Sequence, residues 1–410
     1  MEDDNYVGKL IHNIASITEY DGEITRRTFS PAWQQSLKFI RTEMEKQSMI
    51  THIDAFGNLV GRYIPEKGWN GIKKPLAIGS HIDTVRNGGA FDGVVGIVAG
   101  LEAVSRIRKG NIYIDRPIDV IAFSEEEGSV FGVGCLGSRY ATGNIKLEEI
   151  EKLISKDGKT FEKVAEEAGF SLKAMADDIG WLNGCYDSFL EVHVEQGNRL
   201  EANKKQIGIV KGIVAISRFS VRFSGEANHA GTTAMDKRKD ALVAASDFVV
   251  KVSEYGRKMW PKLVATTGSC DVFPNQQNVI PGIVNLTVEL RSNDDGFIEK
   301  GMAELKKEAQ VSGIKYGVEV QMLNETIIPV QYMSEDVINK LSKLNAEDNS
   351  MSIFSWAGHD AKILAKYMET GMLFVPSRQG KSHCSDEYTS LQDILCASEL
   401  LVLYITNNNI

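Results

Sequence analysis

Residues Gly79 to Gly93 read GSHIDTVRNGGAFDG: an apolar run ends in His81, and a glycine-rich connection carrying Asp83 and Asp92 follows at once. An imidazole and carboxylates held on flexible backbone just past a strand suit zinc and its neighbours, which take nitrogen and oxygen donors together. The stretch also has a plainer reading, because an aspartate in a Gly-rich loop commonly accepts backbone N–H bonds in a turn. The rest of the chain decides between them by supplying further ligands, a base and a substrate grip, or by failing to.

Upstream, Tyr6 to Gln47 has helical spacing, with Ser30-Pro31 as an N-cap and first-turn proline. IDAFGNLVGRYI reads as a hairpin and PLAIGSHID as a buried strand. Downstream, Gly93 to Lys109 is a helix with its basic residues at the C-terminal end, where the helix dipole favours them. Its glycines, Gly93, Gly96 and Gly100, do not match GxGxxG and are assigned to close helix packing, which excludes a dinucleotide site. PIDVIAFSEEEGSVFG is a second buried strand, ending in Glu125, Glu126 and Glu127. Lys146 to Ala176 is predicted helical, and SFLEVHVEQG is a strand carrying His193.

The order changes near Lys211. A strand GIVAISRFSVRFSG leads through NHAGTT to a helix at Asp240–Lys258. Strands LVATTGSC and GIVNLTVELR, a helix at Gly296–Gln310 and a strand KYGVEVQML follow. That is the β-α-β-β-α-β order of a ferredoxin-like domain. Beyond Pro329 come the helix SEDVINKLSKL, the segment FSWAGHDAKILAKYM, the strand GMLFVPS, the motif GKSHCSDE and a final helix from Ser390. The expected fold is α/β, with residues 1–211 and 329–410 sharing one sheet and an α+β domain inserted at 212–328.

At 410 residues the chain exceeds the usual size of one core, which agrees with two domains. A net charge of -9 argues against nucleic acid or an anionic membrane as a partner. Five scattered cysteines without a CxxC pair indicate a reducing compartment. The acidic start MEDDNYVGKL is unlike a signal peptide, and no apolar run is long enough to span a bilayer, so a cytoplasmic location is expected.

His81, His193 and His383 each fall at or near the end of a predicted strand with carboxylates close by, and in an open α/β sheet such ends face one edge. A lone strand-end histidine is commonly structural, and a glutamate run is commonly a solvated face. Glu125–Glu127 differs because it directly continues an apolar strand, where adjacent carboxylates repel unless a cation compensates them.

GSHIDTV, NGGAFDG, EEEGS, EVHVEQG, NHAGTT, NVIPG and GKSH, in this order, resemble the M20-type metal-dependent amidohydrolases of the hydantoinase/carbamoylase family. These cleave N-carbamoyl and ureido groups and are related to the dinuclear-zinc aminopeptidase-like clan. The resemblance covers nearly the whole chain. It implies two divalent ions, zinc or else manganese or cobalt, one on His81, Asp92 and His193, the other on Asp92, Glu127 and His383. It also implies Asp83 as the residue orienting His81, Glu126 as general base, and Glu125 as a spectator. The insert becomes a dimerisation or lid domain whose His229 acts on the oxyanion across a homodimer interface. Asn278 and Arg291 grip a small substrate's carboxylate, and Gln196 and Gly358 complete its contacts.

The implied reaction is hydrolysis of a linear C–N bond. Forms such as AGHDA and FVPS are nearer to allantoate amidohydrolases, enzymes of purine catabolism. N-carbamoyl-L-amino acid, ureidoglycolate and beta-ureidopropionate hydrolases are the alternatives. A non-catalytic binding protein on the same fold is the competing class, which Glu126 argues against because binding alone needs no base. Cys384, Ala234 and Trp356 depart from the family pattern, which has Asn-Pro after the last histidine, Pro after HAGTT and a small residue before AGHD. These changes bear on substrate identity more than on catalysis.

Overall fold

The computed structural model describes residues 4–345 and 347–407; residues 1–3, 346 and 408–410, part of the flanking domain expected above, lie outside the described residues. The chain divides into two compact units, Met1–Lys211 with Tyr332–Ile410, and Gly212–Gln331.

Strands β1 (Ile50–Ile53), β2 (Leu59–Tyr63), β3 (Leu76–His81), β4 (Ile118–Phe123), β5 (Ser188–Val194) and β6 (Ile207–Ile213) precede β7 (Ala215–Ser224), β8 (Asn228–His229), β9 (Leu263–Phe273), β10 (Val279–Ile280), β11 (Ile283–Ser292) and β12 (Glu319–Ile328). The last three are β13 (Gln331–Tyr332), β14 (Ser350–Ser355) and β15 (Glu369–Val375). The large sheet runs β1-β2-β4-β3-β5-β15-β6-β13, with β14 on β6. Its centre, β4-β3-β5-β15, is parallel. Each of β3, β4 and β5 is buried throughout, as strands covered on both faces must be. The carboxyl ends of all four therefore open on one edge.

The helix Val94–Lys109 packs on β3 and β5. A Cβ on Gly96 would lie 2.4 Å from the Val192 carbonyl oxygen and 2.6 Å from Ser80 Cβ, so helix and sheet approach only because that side chain is absent.

Three sequence expectations change. Ile17 to Phe29 is irregular, separating helices Asp4–Ser16 and Pro31–Lys46, and Ser30 caps the second by accepting from the Trp33 N–H at 3.1 Å. Phe29 has φ 68°, a strained value for an aromatic residue; its ring sits among Trp33, Phe56, Phe131, Phe161 and Phe170 at 5.4–6.4 Å, and this burial holds the segment down. The helix expected over Lys146–Ala176 is three short ones, Leu147–Ile150, Phe161–Glu167 and Leu172–Asp178, broken by a turn at Gly158 with φ 80°. In the second unit the long helix runs on to Tyr316 and ends at left-handed Gly317, so the last strand starts at Glu319 and not at Lys315.

The second unit contains a four-stranded sheet of order β12-β7-β11-β9, antiparallel throughout, with helices Ala241–Met259 and Asp295–Tyr316 packed on it. That is the ferredoxin-like arrangement, read from the order of elements alone.

Candidate metal centre

β3 ends on His81, and β5 carries Glu191 and His193 two residues apart, hence on one face. β4 delivers Ser124 and the glutamate run, and the loop after β15 leads to His383. Asp92 arrives by the glycine-rich loop. Gly93 follows it with φ 67°, and a Cβ there would lie 2.5 Å from His81 Cε1, so this turn against the imidazole requires glycine.

The protons of the two buried imidazoles are accounted for elsewhere. His81 Nδ1 lies 3.0 Å from the Asp83 carbonyl oxygen and His193 Nδ1 lies 2.9 Å from that of Val194. A carbonyl only accepts, so each Nδ1 is the N–H and each neutral ring is left with a bare Nε2 lone pair. Those Nε2 atoms are 3.3 Å apart, and they lie 3.5 Å and 3.1 Å from Asp92 Oδ1, itself buried without a hydrogen-bond donor. Three acceptors facing one another call for a cation between them. On the other side, His383 Nε2 lies 3.1 Å from Asp92 Oδ2 and 3.3 Å from Glu127 Oε1. The groups His81–Asp92–His193 and Asp92–Glu127–His383 each keep their ligand atoms within 4.8 Å, with Asp92 common to both. The donor set thus fits divalent ions of the zinc type.

Without an ion, the surrounding carboxylates favour a proton on the histidines as the cation in its place. Burial disfavours the charged form of His81, yet Asp92, Glu126 and Asp83 together hold its pKa well above the ordinary value. Burial pushes Asp92 up, but His193, His383 and His81 outweigh it and hold the carboxylate well below its usual range. Burial lifts Glu127 to about 7, and burial also raises Glu126 well above the ordinary carboxylate value. Glu126 turns Oε2 toward His81 Nε2, 3.8 Å away, while Oε1 accepts from the Cys135 thiol at 3.4 Å.

Two assignments are refined. The bond to His81 Nδ1 comes from the backbone carbonyl of Asp83; its carboxylate accepts from the Glu126 and Glu127 N–H groups at 3.2 and 3.1 Å and stands 3.8 Å from the ring. Asp83 therefore holds the glutamate loop as well as facing His81. Glu125, expected to be idle, is fully buried, and its Oε1 accepts from Val130 and Phe131 N–H at 2.8 and 3.0 Å. It shapes the loop that presents its two neighbours.

Gln196, named from the sequence as a substrate contact, sits at φ 58° and donates through Nε2 to Asp92 Oδ2 at 2.8 Å. Other residues at the centre were not among the sequence candidates. His359, the histidine of AGHDA next to exposed Gly358, is buried, with its ring 4.4 Å from that of His193 and its Nε2 on Ser355 Oγ at 2.8 Å. Glu191 accepts from Ser80 and from the Ala361 N–H, each at 2.8 Å, and groups with His193 and His359. Its spacing in EVH was the available signal. The segment Ile24–Thr28 laces both loops: Ile24 O takes the Gly88 N–H, Arg26 O the Thr84 N–H, and Thr28 Oγ1 the Glu125 N–H. Arg26, fully buried, donates through Nε to Ile82 O at 2.8 Å.

In the second unit, β8 and β10 pair His229 with Val279, and the Ala230 N–H bonds Asn278 O at 2.9 Å. His229 is exposed, and its Nδ1 accepts from Gly231 and Thr232 N–H at 3.0 and 3.2 Å, so the neutral ring carries its proton on Nε2. Arg291 donates through Nε to Glu289 Oε1 at 2.7 Å, and Arg218 holds the other oxygen. Ala234 has φ -58° and ψ 143°, the backbone proline would impose, so its departure leaves the local path unchanged.

The sequence profile of peptidase family M20/M25/M40 matches residues 77–407. The chain is 36% identical to the N-carbamoyl-L-amino-acid amidohydrolase of Pseudomonas sp. (strain NS671), covering 93% of this chain and 92% of that one. It is 31% identical to the allantoate amidohydrolase of Escherichia coli (strain K12), over 94% and 92% of the two chains. Among solved structures, a hydantoinase/carbamoylase family amidase from Burkholderia multivorans superposes with a TM-score of 0.87 at 28% identity, over 98% of this chain and 97% of that one.

Proposed function

Because the chain belongs to peptidase family M20/M25/M40, we propose that it hydrolyses a linear C–N bond in a ureido or carbamoyl compound bearing a carboxylate. The observation that carries the reading is the convergence of His81 Nε2, His193 Nε2 and Asp92 Oδ1 with no donor among them, beside the buried carboxylate of Glu126. Two divalent ions, zinc or else manganese or cobalt, held by His81, Asp92 and His193 and by Asp92, Glu127 and His383, supply Lewis acidity there when bound.

The chain's own residues do the rest. Glu126, through Oε2, takes the proton of the attacking water and returns it to the leaving nitrogen. Its Oε1 stays on Cys135, which fixes the carboxylate's rotation. His229, with Nδ1 committed to two backbone N–H groups, has Nε2–H to give to the developing oxyanion. Asn278 and Arg291 take the substrate carboxylate, with Gln196 and Gly358 as further contacts.

The second unit is proposed as a dimerisation domain. Exposed Val243 and Val250, seven residues apart on one helix, and Val311 and Ile314 on the other support a partner for this unit, as does the exposed edge strand β9. No helix among the described residues is long and apolar enough to cross a membrane; a cytoplasmic location goes with the proposed substrate class.

The motif forms favour allantoate, while the higher identity to an N-carbamoyl-L-amino-acid amidohydrolase favours that second substrate. Ammonia release from the ion-loaded protein, measured across allantoate, ureidoglycolate and N-carbamoyl-L-amino acids, with release of free amino acids measured for dipeptides, separates them. Allantoate is expected to turn over fastest. A dipeptide turned over without any ammonia from the ureido compounds would reject the reading in favour of a peptidase.

A further inference from the structure

Glu387 lies 295 residues from Asp92 in sequence and is 5% exposed. Its Oε2 accepts from the Phe91 N–H at 2.8 Å and from the Asp92 N–H at 3.0 Å. Its Oε1 is 2.6 Å from Ser382 Oγ, which is also 2.9 Å from Asp92 Oδ2. Ser382 stands between two carboxylates, one of them the shared candidate ligand, and its single proton is shared between them, with the shorter contact on Glu387. Glu387 Oε2 is taken by two backbone donors and Oε1 faces the serine hydroxyl, which sets this residue apart from the proposed ligands.

Two further observations show that the contact is built into the fold. A Cβ on Gly89 would lie 1.9 Å from Glu387 Oε2 and 2.2 Å from its Cδ, so the glycine keeps the carboxylate's seat open; its φ is not in the left-handed region, so only the contact forbids a side chain. Next to Ser382, His383 is held at φ 56°, unfavourable for a residue with a side chain and sustained by the loop around it. The two loops also pack through Phe91 and Tyr388, whose rings meet edge-on at 5.7 Å.

We propose that Glu387, acting through Ser382 and the backbone of Phe91 and Asp92, is a positioning residue that ties the Asp92 loop to the His383 loop and thereby sets the centre's affinity for divalent ions. The inference rests on the metal reading of the site. Without the carboxylate, two buried backbone donors lose their acceptor and the loops carrying Asp92 and His383 lose their tie.

The test uses the full chain, stripped of metal, with zinc titrated against a chromophoric chelator and thermal unfolding of the stripped protein recorded in parallel. Glu387→Ala is expected to weaken zinc binding about ten- to hundredfold. Glu387→Gln should lose less, because an amide oxygen still accepts from Phe91 and Asp92. Gly89→Ala, which displaces the carboxylate while leaving it in the chain, should approach the Glu387→Ala loss. In the Glu387→Ala background, Gly89→Ala should add no more than about twofold, since the clash is gone. A purely structural role would lower the melting temperature of the stripped variants and leave zinc affinity unmoved, and that result overturns the proposal. So do fully additive effects of Gly89→Ala and Glu387→Ala. If the wild type and a His383→Ala control both fail to bind zinc, the metal reading itself falls and this inference with it; zinc bound by the wild type and not weakened by Glu387→Ala sinks the inference alone.

Discussion

His81 and His193 turn their Nε2 atoms toward each other across 3.3 Å, each with its Nδ1 spent on a backbone carbonyl. Two lone pairs at that distance, with Asp92 Oδ1 beside them, store repulsion that a cation removes. Divalent ions should therefore stabilise the fold: at an ion concentration about a hundred times the dissociation constant, the gain is about 2.7 kcal/mol. Thermal unfolding with and without a chelator measures it. His81→Ala should lose most of the difference, and a wild type whose melting temperature ignores the chelator contradicts the site.

Glu126 faces the cluster through one oxygen only, the other being held by Cys135. Glu126→Gln keeps the shape and loses the base, so turnover should fall by at least about 10² to 10⁴. Metal content by elemental analysis should stay at the wild-type value. Wild-type turnover in this variant removes Glu126 from the mechanism.

His229 lies in the second unit, and its Nε2–H is free of the backbone bonds that fix Nδ1. If it serves the partner subunit's centre, inactive His229→Ala and inactive Glu126→Gln should recover activity when unfolded together and refolded as mixed dimers. About a quarter of the sites, or fewer, would then combine two intact contributions. Mixed dimers without any recovery rule out sharing.

Arg26 is buried and donates to Ile82 O at 2.8 Å, Ile14 O at 3.1 Å and Ile17 O at 3.3 Å. Arg26→Met leaves buried carbonyls without donors and Asp83 without its nearby cation, so the loss should be on the order of 3 kcal/mol in urea unfolding. A loss under about 0.5 kcal/mol, the scale of a surface change, contradicts a supporting role.

Asp247 joins the two helices of the second unit, accepting from Lys315 at 2.7 Å and Ser312 at 2.6 Å. These bonds, with Lys315 first, pull its pKa down to about 2. A carboxylate depressed in the folded state stabilises fully above its unfolded value near 3.9, and the contribution is lost as pH falls through about 2. Asp247→Asn should therefore be less stable than wild type at pH 6, with the gap closing below about pH 4. A gap independent of pH assigns the effect to packing. The group is exposed enough for salt to reduce the gap as well.

Helix and strand positions were legible where a short-range rule governs them. Ser30, Ser334 and Ser390 each cap the helix that follows, and the apolar runs before His81 and Glu125 are buried strands. The misses follow from competition at longer range. Lys146–Ala176 has a helical pattern that Gly158 and Gly169, both with positive φ, cut into pieces. Phe29 adopts a strained backbone that only its aromatic neighbours stabilise, and no local pattern announces them. At the site, the histidines and carboxylates stood out by residue type. Glu387, Ser382 and Arg26 did not, because a glutamate, a serine or an arginine becomes informative only once its partners are known.

By itself the amino-acid sequence determined the chemistry available: which side chains can ligate, that a carboxylate run ends a buried strand, and that a β-α-β-β-α-β segment interrupts an α/β pattern. The tertiary structure alone decided the proton positions and the supports. Parallel pairing of β4, β3, β5 and β15 brings four strand ends to one edge, and the carbonyls of Asp83 and Val194 leave His81 and His193 with bare Nε2 atoms. Glu387 reaches the Asp92 backbone only because the C-terminal loop returns to that edge. The physical reason is range: caps and strand burial depend on neighbours a few residues away, whereas the direction of a hydrogen bond depends on whatever the completed fold places opposite it.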